Sequence, residues 1–310
     1  MLSEFSLIDT FFKQATHYNA QTRLGVGDDC ALLSVPNGHE LAITTDTMVE
    51  NVHFFANVDP AYLGHKLLAV NLSDLAAMGA TPIAVTLALT LPRVDAHWLE
   101  RFAQGFLALA QTFSVDLIGG DTTQGPLTLT VQAMGIVPQG QALKRATAQV
   151  GDGIFMTGNL GEAGLGLKIA QGAFSPAAPN ALTRFHTPMP QIETGLALRG
   201  VANACIDISD GLFSDLGHIL TQSGVGACLD WDALPLSAEV GTYIAQTQDS
   251  LMPLVAGDDY ELCFTVPAHR IHSIPPNCTR IGIIEQQTGL RLKKSGHLHT
   301  LSAKGYEHFS

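Results

Sequence analysis

The stretch that decides the fold is Leu67-Leu68-Ala69-Val70-Asn71-Leu72-Ser73-Asp74-Leu75-Ala76-Ala77-Met78, an apolar segment with polar residues on one edge. Asn71 and Asp74 are three positions apart, which places them on the same side of a helix. We predict this helix over residues 61–78, ended by Gly79. A lone carboxylate among apolar side chains is costly to desolvate. Asp74 is therefore either satisfied by hydrogen bonds or a metal ligand, and the metal ligand is favoured.

The segments around this helix alternate apolar and polar residues with the period of strands. We predict strands over 41–46, 83–91, 115–118 and 127–133. A further helix is predicted over 98–113, with Asp95 as its N-cap. The first half of the chain is therefore mixed α and β.

A second cycle of elements follows Pro138-Gln139-Gly140-Gln141, which we take as the domain boundary. We predict an N-terminal domain over 1–138 and a C-terminal domain over 139–310. Strands are predicted over 154–156 and 262–266, and helices over 161–171, 192–203 and 212–222. The fold class is α/β with mixed (α+β) sheets in two domains.

Composition limits the classes of partner and the compartment. The 310 residues are 46% hydrophobic and carry 28 acidic against 16 basic residues, a formal net charge of -12. With no Lys/Arg-rich run, this balance argues against nucleic acid or an anionic membrane as partner. The five cysteines are odd in number and lack CxxC spacing, which is typical of reduced thiols. No apolar stretch is long enough to span a membrane, so we expect a soluble, cytoplasmic protein.

Aspartate recurs in five short motifs beside apolar elements, and this recurrence suggests that a cation gathers the carboxylates. Oxygen ligands with interleaved Thr and Ser hydroxyls favour Mg²⁺, which usually accompanies a phosphorylated substrate. The motifs are Gly27-Asp28-Asp29, Thr44-Thr45-Asp46-Thr47, Asn71-Leu72-Ser73-Asp74, Gly119-Gly120-Asp121-Thr122 and Asp207-Ile208-Ser209-Asp210.

Each motif taken alone has a plainer interpretation. Thr44-Thr45-Asp46 at a strand end is either a ligand set or an Asx-turn. Gly119-Gly120-Asp121 either lets the backbone approach a phosphate or forms an ordinary turn. Asp207-Ile208-Ser209-Asp210 starts a helix, where free backbone N–H groups suit a phosphate and Ser209 suits capping. Asp28-Asp29 is either an exposed acidic turn or a cation site.

Two common nucleotide motifs are absent from the sequence. It contains no GxxxxGK[ST] loop, and no GxGxxG follows a predicted strand. A phosphate enzyme without these loops must neutralise a triphosphate by other means. Several Mg²⁺ ions held by carboxylates are the obvious substitute.

Taken together and in order, the motifs resemble those of the thiamine-monophosphate kinase family, in the aminoimidazole ribonucleotide synthetase-like superfamily. The resemblance runs nearly end to end. It rests on the five acidic motifs, on Met48-Val49-Glu50-Asn51-Val52-His53-Phe54, on Asp259-Tyr260-Glu261-Leu262, and on Lys304-Gly305-Tyr306-Glu307-His308-Phe309.

This resemblance implies a two-domain fold in which the N-terminal half forms a dimer sheet or barrel and binds Mg-ATP, while the C-terminal half closes over the active site. It implies in-line transfer of the ATP γ-phosphoryl group to thiamine monophosphate, several Mg²⁺ ions, ATP as co-substrate, and a homodimer. The implied metal ligands are Asp29, Thr44, Thr45, Asp46, Asp74, Asp121, Asp207 and Asp210. The implied ATP contacts are Gly120, Asp121, Arg145 and Ser209. The implied substrate contacts are His53, Asp258 and Tyr306, and the catalytic set is Asp46, Asp74, Asp121, Asp207 and Arg145.

The residues themselves support these roles unevenly. Arg145 could bridge phosphate oxygens or be a surface charge, His53 is equally consistent with a structural role, and Tyr306 could stack on the thiamine ring or pack. Two positions depart from the family. Asp258 stands where the family commonly has Glu, and Gln191 follows His186-Thr187-Pro188-Met189-Pro190 where it tends to have Arg.

Two alternative functions stay open. The first is another ATP-using enzyme of the superfamily. Selenophosphate synthetase needs an N-terminal reactive cysteine, whereas the first here is Cys30, and the hydrogenase maturation factor HypE needs a C-terminal cysteine, whereas this chain ends in Ser310. The second is a non-catalytic binding protein for thiamine phosphate or Mg-nucleotide.

Overall fold

The structure, a computed structural model, describes residues 10–12, 19–175 and 177–301. The chain divides into two compact units. The first is Met1–Leu75 with Ala80–Gly140, and the second is Ala76–Gly79 with Gln141–Ser310. Both contain helices and mixed sheets, which confirms the predicted fold class. Tyr306, one of the three implied substrate contacts, lies outside the described residues.

The first unit is built on a four-stranded sheet. Its elements are β1 (Thr22–Leu24), β2 (Leu32–Leu33), β3 (His39–Val49), α1 (Pro60–Ala77), β4 (Thr81–Leu91), α2 (Ala96–Thr112), β5 (Asp116–Gln124) and β6 (Thr128–Pro138). The strand order is β3-β6-β4-β5, and β1 and β2 form a separate pair. β6 is antiparallel to both neighbours, whereas β4 and β5 are parallel. β3 and β5 are therefore the two edges of the sheet.

Close packing of α1 against α2 explains two glycines of this unit. A Cβ on Gly64 would overlap the backbone oxygen of Phe102, and a Cβ on Gly105 would overlap that of Ala61. The absence of side chains at these points lets the helix backbones approach. Phe102 and Phe106 are fully buried at this contact.

The predicted helices of the first unit are confirmed to within two residues. The Asp95 side chain accepts hydrogen bonds from the backbone nitrogens of His97 and Trp98, which confirms it as the N-cap of α2. Three predicted strand ends are wrong, and one of them belongs to the strand predicted over 127–133, which continues to Pro138. β3 continues past Asp46 because its pairing with β6 is unbroken from His39 to Val49. The Gly119-Gly120-Asp121 motif likewise lies inside β5, not after it.

The second unit contains a seven-stranded sheet in the order β13-β12-β9-β11-β7-β10-β8. Its strands are β7 (Gly153–Thr157), β8 (Ala204–Asp207), β9 (Gly226–Asp230), β10 (Leu262–Val266), β11 (Cys278–Glu285), β12 (Gly289–Lys294) and β13 (His297–Leu301). All neighbours are antiparallel except β9 and β12. The helices are α3 (Glu162–Ala170), α4 (Pro179–His186), α5 (Ile192–Ala197), α6 (Leu212–Ser223), α7 (Ala238–Thr247) and α8 (Met252–Val255).

The helix predicted over 192–203 is shorter than expected. It ends at Ala197, and Gly200 adopts a left-handed φ of 71° in the turn that follows. Glycine takes this conformation without steric cost, which is why it stops the helix. Among the described residues, no helix combines the length and the apolar character needed to cross a membrane.

Candidate active site

The polar edge of α1 lies against β3. The Thr44 hydroxyl donates a short hydrogen bond to Asp74 Oδ2, and the Asp46 backbone N–H donates to Asn71 Oδ1 at 3.2 Å. Asn71 is fully buried and donates through Nδ2 to the carbonyl of Leu67, one turn earlier in α1. Because Asn71 and Asp74 are three residues apart in α1, both side chains contact the same strand, β3.

Two carboxylates share this contact, and their proximity has an electrostatic cost. Burial, and then the charge of Asp74, raise the pKa of Asp46 from 3.8 to about 6. Asp46, Asp74 and the Thr44 hydroxyl form an oxygen-only donor set, which is the chemistry that Mg²⁺ prefers. A bound cation would stabilise both ionised carboxylates. The residues present therefore fit a Mg²⁺ ion, which would be held by Asp46 and Asp74.

Within one chain, Asp46, Asp74 and Thr44 supply too few ligands to complete a metal site. Across residues 10–12, 19–175 and 177–301, no cluster of three or more His, Cys, Asp or Glu side chains could hold a metal ion. Thr45 does not add its hydroxyl to Thr44 and Asp46, because side chains alternate between the two faces of a strand. On the opposite face, Thr45 Oγ1 accepts from Gln132 Nε2 at 3.4 Å. The expectation that both threonine hydroxyls join Asp46 at a strand end is therefore wrong.

Asp121 also lies apart from Asp46 within the chain. In the sheet, Asp46 is in register with Val131, Val131 with Leu87, and Leu87 with Gly120. Three strand spacings separate the two edges, a distance of about 14 Å. Asp121 is exposed and pairs with Ala88, one position beyond Gly120, so its side chain lies on the other face of the sheet. One chain therefore does not place Asp121 beside Asp46 and Asp74.

Gly120 is required by the sheet itself. Its φ is 154°, and a Cβ built on it would overlap the backbone oxygen of Leu87 in β4. The neighbouring Gly119 has open space around it. The structure thus supplies a reason for Gly120 that is independent of a phosphate.

We predict that Gly120→Ala lowers the free energy of unfolding by about 3 kcal/mol or more, because the methyl group would push β5 away from β4. Gly119→Ala is the matched control and should change this free energy by less than about 1 kcal/mol. Urea unfolding of the two variants makes the comparison. Equal stability of the two would show that β5 accommodates a side chain at position 120.

Asp28 and Asp29 form an exposed turn between β1 and β2. The Asp29 backbone N–H donates to Asp28 Oδ1 at 2.9 Å, and Gly27 has a φ of 128°. The geometry matches the plainer of the two interpretations drawn from the sequence. The role of Asp29 as a metal ligand stays a prediction.

His53 is held by the end of β3. Its Nδ1 accepts the backbone N–H of Val49 at 2.9 Å, and its own backbone N–H donates to the Val49 carbonyl at 2.9 Å. With Nδ1 used as an acceptor, the neutral imidazole carries its proton on Nε2. His53 therefore presents Nε2 as a hydrogen-bond donor, which suits a phosphate oxygen.

In the second unit, Asp207 ends β8 and is almost fully buried, and the chain then turns into α6. Gly211 occupies the N-cap, and no side chain caps this helix. Capping therefore does not explain Ser209. Instead, Asp215 Oδ2 accepts the backbone N–H groups of Ser209 and Asp210, each at 3.0 Å. Burial raises the pKa of Asp215 to about 8 against the lowering effect of these donors, with Asp207 and Asp210 adding to the increase.

Asp258 lies in a backbone segment of unusual conformation. Asp258 and Tyr260 have positive φ values of 69° and 49°, and the Tyr260 hydroxyl donates to Asp258 Oδ1 at 3.0 Å. A positive φ costs conformational free energy in residues other than glycine, and it persists only where surrounding contacts impose it. Here Asp259 supplies contacts by accepting the backbone N–H groups of Gly161 and Ala163 at the start of α3. Burial raises the pKa of Asp259 to about 7.

A buried ion-pair network that the sequence did not predict supports this segment. Glu261 is 2% exposed and accepts short hydrogen bonds from the Thr157 hydroxyl and from Arg184 Nη2. Arg184 also donates to the carbonyl of Asp259 at 3.2 Å. Burial raises the pKa of Glu261, and Arg184 opposes that increase. The motif Asp259-Tyr260-Glu261-Leu262 was the only sequence signal for this network.

Arg145 lies in the exposed connection between β6 and β7. Its carbonyl accepts from the Ser223 hydroxyl at 3.1 Å, and that hydroxyl in turn accepts the backbone N–H of Ala148 at 3.2 Å. The backbone at Arg145 is thus anchored to the end of α6, while the guanidinium group is accessible to solvent. This arrangement leaves both interpretations of Arg145 open.

Comparison with known proteins identifies the family. The model described as "AIR synthase related protein, N-terminal domain" matches residues 27–137, and that described as "AIR synthase related protein, C-terminal domain" matches residues 149–294. The thiamine-monophosphate kinase of Salmonella typhimurium is 45% identical over 319 residues, which cover 99% of this chain and 98% of that protein. The chain belongs to the thiamine-monophosphate kinase family.

Solved structures of this family are similar to this chain over nearly its whole length. Thiamine-monophosphate kinase from Stenotrophomonas maltophilia K279a has a TM-score of 0.85 at 42% identity, covering 94% of this chain and 96% of that one. The structure described as "AaThiL complexed with AMPPCP and TMP" has a TM-score of 0.81 at 28% identity, covering 99% of this chain and 97% of that one. The family therefore shares both units of the fold.

Proposed function

We propose that this protein catalyses the ATP-dependent phosphorylation of thiamine monophosphate to thiamine diphosphate. The observation that carries the proposal is the identity of 45% with a thiamine-monophosphate kinase over 99% of the chain. A relative described as complexed with AMPPCP and TMP supports the choice of substrates. The paired carboxylates of Asp46 and Asp74 supply the charge that Mg-dependent phosphoryl transfer needs.

The reaction is in-line transfer of the γ-phosphoryl group. The acceptor oxygen belongs to a phosphate monoester, which is largely ionised at neutral pH, so a strong general base is unnecessary. The residues of the chain instead bind, orient and balance charge. His53 donates from Nε2 to the acceptor phosphate, and the Arg145 guanidinium binds phosphate oxygens. Asp46 and Asp74 would hold Mg²⁺, whose charge would offset the repulsion between the two polyanionic substrates.

The proposed site residues follow the family motif. The metal ligands are Asp29, Thr44, Thr45, Asp46, Asp74, Asp121, Asp207 and Asp210, with several Mg²⁺ ions bound. ATP contacts Gly120, Asp121, Arg145 and Ser209, and thiamine monophosphate contacts His53, Asp258 and Tyr306. Because its side chain is on the far face of β3, the Thr45 hydroxyl would not bind the ion held by Asp46 and Asp74.

We also propose a homodimer. Asp46 and Asp121 are expected in one Mg²⁺ cluster but lie on opposite edges of the sheet, so a second copy would bring its β5 edge to this β3 edge. The face of β3 opposite Asp46 exposes Leu41 at 40% and Ile43 at 56%. Exposed apolar side chains on an edge strand favour burial against another chain.

Two further features belong to the proposal. The five cysteines are free thiols, which is typical of the reducing cytoplasm, and we place the enzyme there. The acidic net charge of -12 disfavours nucleic acid and anionic membrane as partners. The domains 1–138 and 139–310 act as the Mg-ATP-binding half and the half that completes the site.

We expect ADP release to depend on thiamine monophosphate. A coupled assay with ATP and Mg²⁺ should show turnover when thiamine monophosphate is added, and none with aminoimidazole ribonucleotide precursors or selenide. Binding of thiamine monophosphate without ADP release would instead favour the non-catalytic binding protein. Turnover with one of the other substrates would assign the chain to another activity of the superfamily.

The raised pKa of Asp46 predicts that the free energy of unfolding of the metal-free protein depends on pH. Because the folded state holds this proton more tightly than the unfolded state does, stability falls as the pH rises from about 4 to about 6. Asp46→Asn should therefore be more stable than the wild type at pH 7 by about 1–2 kcal/mol, allowing for solvent screening, and equally stable near pH 4.

Urea unfolding in EDTA between pH 4 and pH 7 measures this difference. Asp232→Asn, at an exposed position, is the control and should follow the wild type at every pH. A constant difference between Asp46→Asn and the wild type would contradict the electrostatic explanation.

A further inference from the structure

Asp215 is a buried carboxylate in the first turn of α6 that has no role in the chemistry described above. It is 3% exposed. A single oxygen, Oδ2, accepts from the backbone nitrogens of Ser209 and Asp210 at 3.0 Å each. The chain between β8 and α6 therefore bends back over its own helix, and Gly211 permits the bend with a φ of 106°.

The other side of the same segment is held by backbone hydrogen bonds. The Ile208 N–H donates to the Glu261 carbonyl at 2.8 Å, and the Tyr260 N–H donates to the Ile208 carbonyl at 2.8 Å. The Asp258 N–H donates to the Ser209 carbonyl at 2.9 Å. Residues 208–210 are thus fixed between Asp215 and the segment that carries Asp258.

This arrangement changes how the segment could meet a nucleotide. The sequence suggested that free backbone N–H groups at this helix start would bind phosphate. The N–H groups of Ser209 and Asp210 instead donate to Asp215, so they are not available to bind phosphate. Under the proposed function, the Ser209 hydroxyl and the Asp210 carboxylate are the groups that contact Mg-ATP. Their directions depend on a backbone that one carboxylate oxygen holds.

We propose that Asp215 is a positioning residue for the Mg-ATP site, acting through the backbone of Ser209 and Asp210. This inference rests on the proposed function, which places those two side chains at the nucleotide and its metal. Without Asp215, two adjacent N–H donors would lose their partner, and the segment would relax toward other acceptors. Ser209 and Asp210 would then reach Mg-ATP less often in the correct geometry.

The test compares Asp215→Ala with Asp215→Asn. Asn keeps one acceptor oxygen, which is all that the two N–H donors require, whereas Ala removes it. Asp215→Ala should raise the KM for Mg-ATP by about tenfold or more. The increase in the KM for thiamine monophosphate should be smaller than this by a factor of about five or more. Asp215→Asn should stay within about threefold of the wild type in both constants. Ile219→Ala, a fully buried truncation in the same helix, should lower stability without changing the KM for Mg-ATP.

Hydrogen exchange tests the same contact in the wild-type protein, so the inference does not depend on the folding of a variant. The amides of Ser209 and Asp210 should exchange at least about a hundredfold more slowly than unprotected amides, both alone and with AMPPCP and Mg²⁺. Freely exchanging amides, an unchanged KM in Asp215→Ala, or an equal increase in Ile219→Ala would each overturn the inference. A wild-type protein with protected amides but no substrate-dependent ADP release would instead contradict the proposed function.

Discussion

Asp46→Asn and Asp74→Asn should each reduce kcat by at least about 1000-fold, because each removes one of two carboxylates that would hold Mg²⁺ against the transferring phosphoryl group. The fold should persist in both variants. An Asn at position 74 can still accept the hydrogen bond from the Thr44 hydroxyl, and the Asp46 contact to Asn71 is made by the backbone. The loss would therefore report on charge and not on packing.

Initial rates of ADP release at saturating ATP, thiamine monophosphate and Mg²⁺ measure the effect. Asp116→Asn is a matched control, since Asp116 is a buried carboxylate of the same unit that accepts from the Thr22 hydroxyl and the Asn19 backbone N–H. It should lower the melting temperature while kcat stays within about threefold of the wild type. Near-normal kcat in both Asp46→Asn and Asp74→Asn would exclude these carboxylates from the mechanism.

A mixture of two inactive variants, Asp46→Asn and Asp121→Asn, should recover about one quarter of wild-type activity after the subunits are exchanged. If each site takes Asp46 from one subunit and Asp121 from the other, then a mixed dimer contains one site with both substitutions and one with neither. Random exchange makes about half of the dimers mixed, and half of the sites in those dimers are intact.

The control is a mixture of Asp46→Asn with Asp74→Asn. Both residues meet at the contact between α1 and β3 of the same chain, so every site in a mixed dimer keeps one substitution and no activity should return. Exchange is achieved by mild denaturation and refolding of tagged variants, and the mixed dimer is isolated by its two tags. An inactive mixed dimer of Asp46→Asn and Asp121→Asn would show that the two carboxylates do not serve one shared site.

Local sequence was sufficient where the structure depends on neighbouring residues. The three-residue spacing of Asn71 and Asp74 predicted that both would share one edge of α1, and both meet β3. Asp95 was identified as an N-cap because its side chain reaches N–H groups only two and three residues ahead. The alternation of apolar residues predicted β4 and β6 for the same reason: a strand shows its period within a few residues.

The site was less predictable because its contacts join distant parts of the chain. The end of β3 depends on pairing with β6, about ninety residues later, so the sequence around Asp46 could not show that the strand continues to Val49. The reason for Gly120 is the carbonyl of Leu87 on a neighbouring strand. Arg184 and Glu261 meet in a buried pair across 77 positions, which no short motif encodes.

The amino-acid sequence by itself determined the mixed α/β class, the polar edge of α1, and the family to which the ordered acidic motifs belong. Each of these follows from short-range spacing or from the order of motifs along the chain. Only the tertiary structure decided which carboxylates meet. Asp46 and Asp74 share one contact whereas Asp121 lies at the far edge of the sheet, because strand order and register are set by long-range pairing. Asp215 accepts from residues only five and six positions earlier, but the bend that brings these residues to it is held on its other side by hydrogen bonds to residues 258–261.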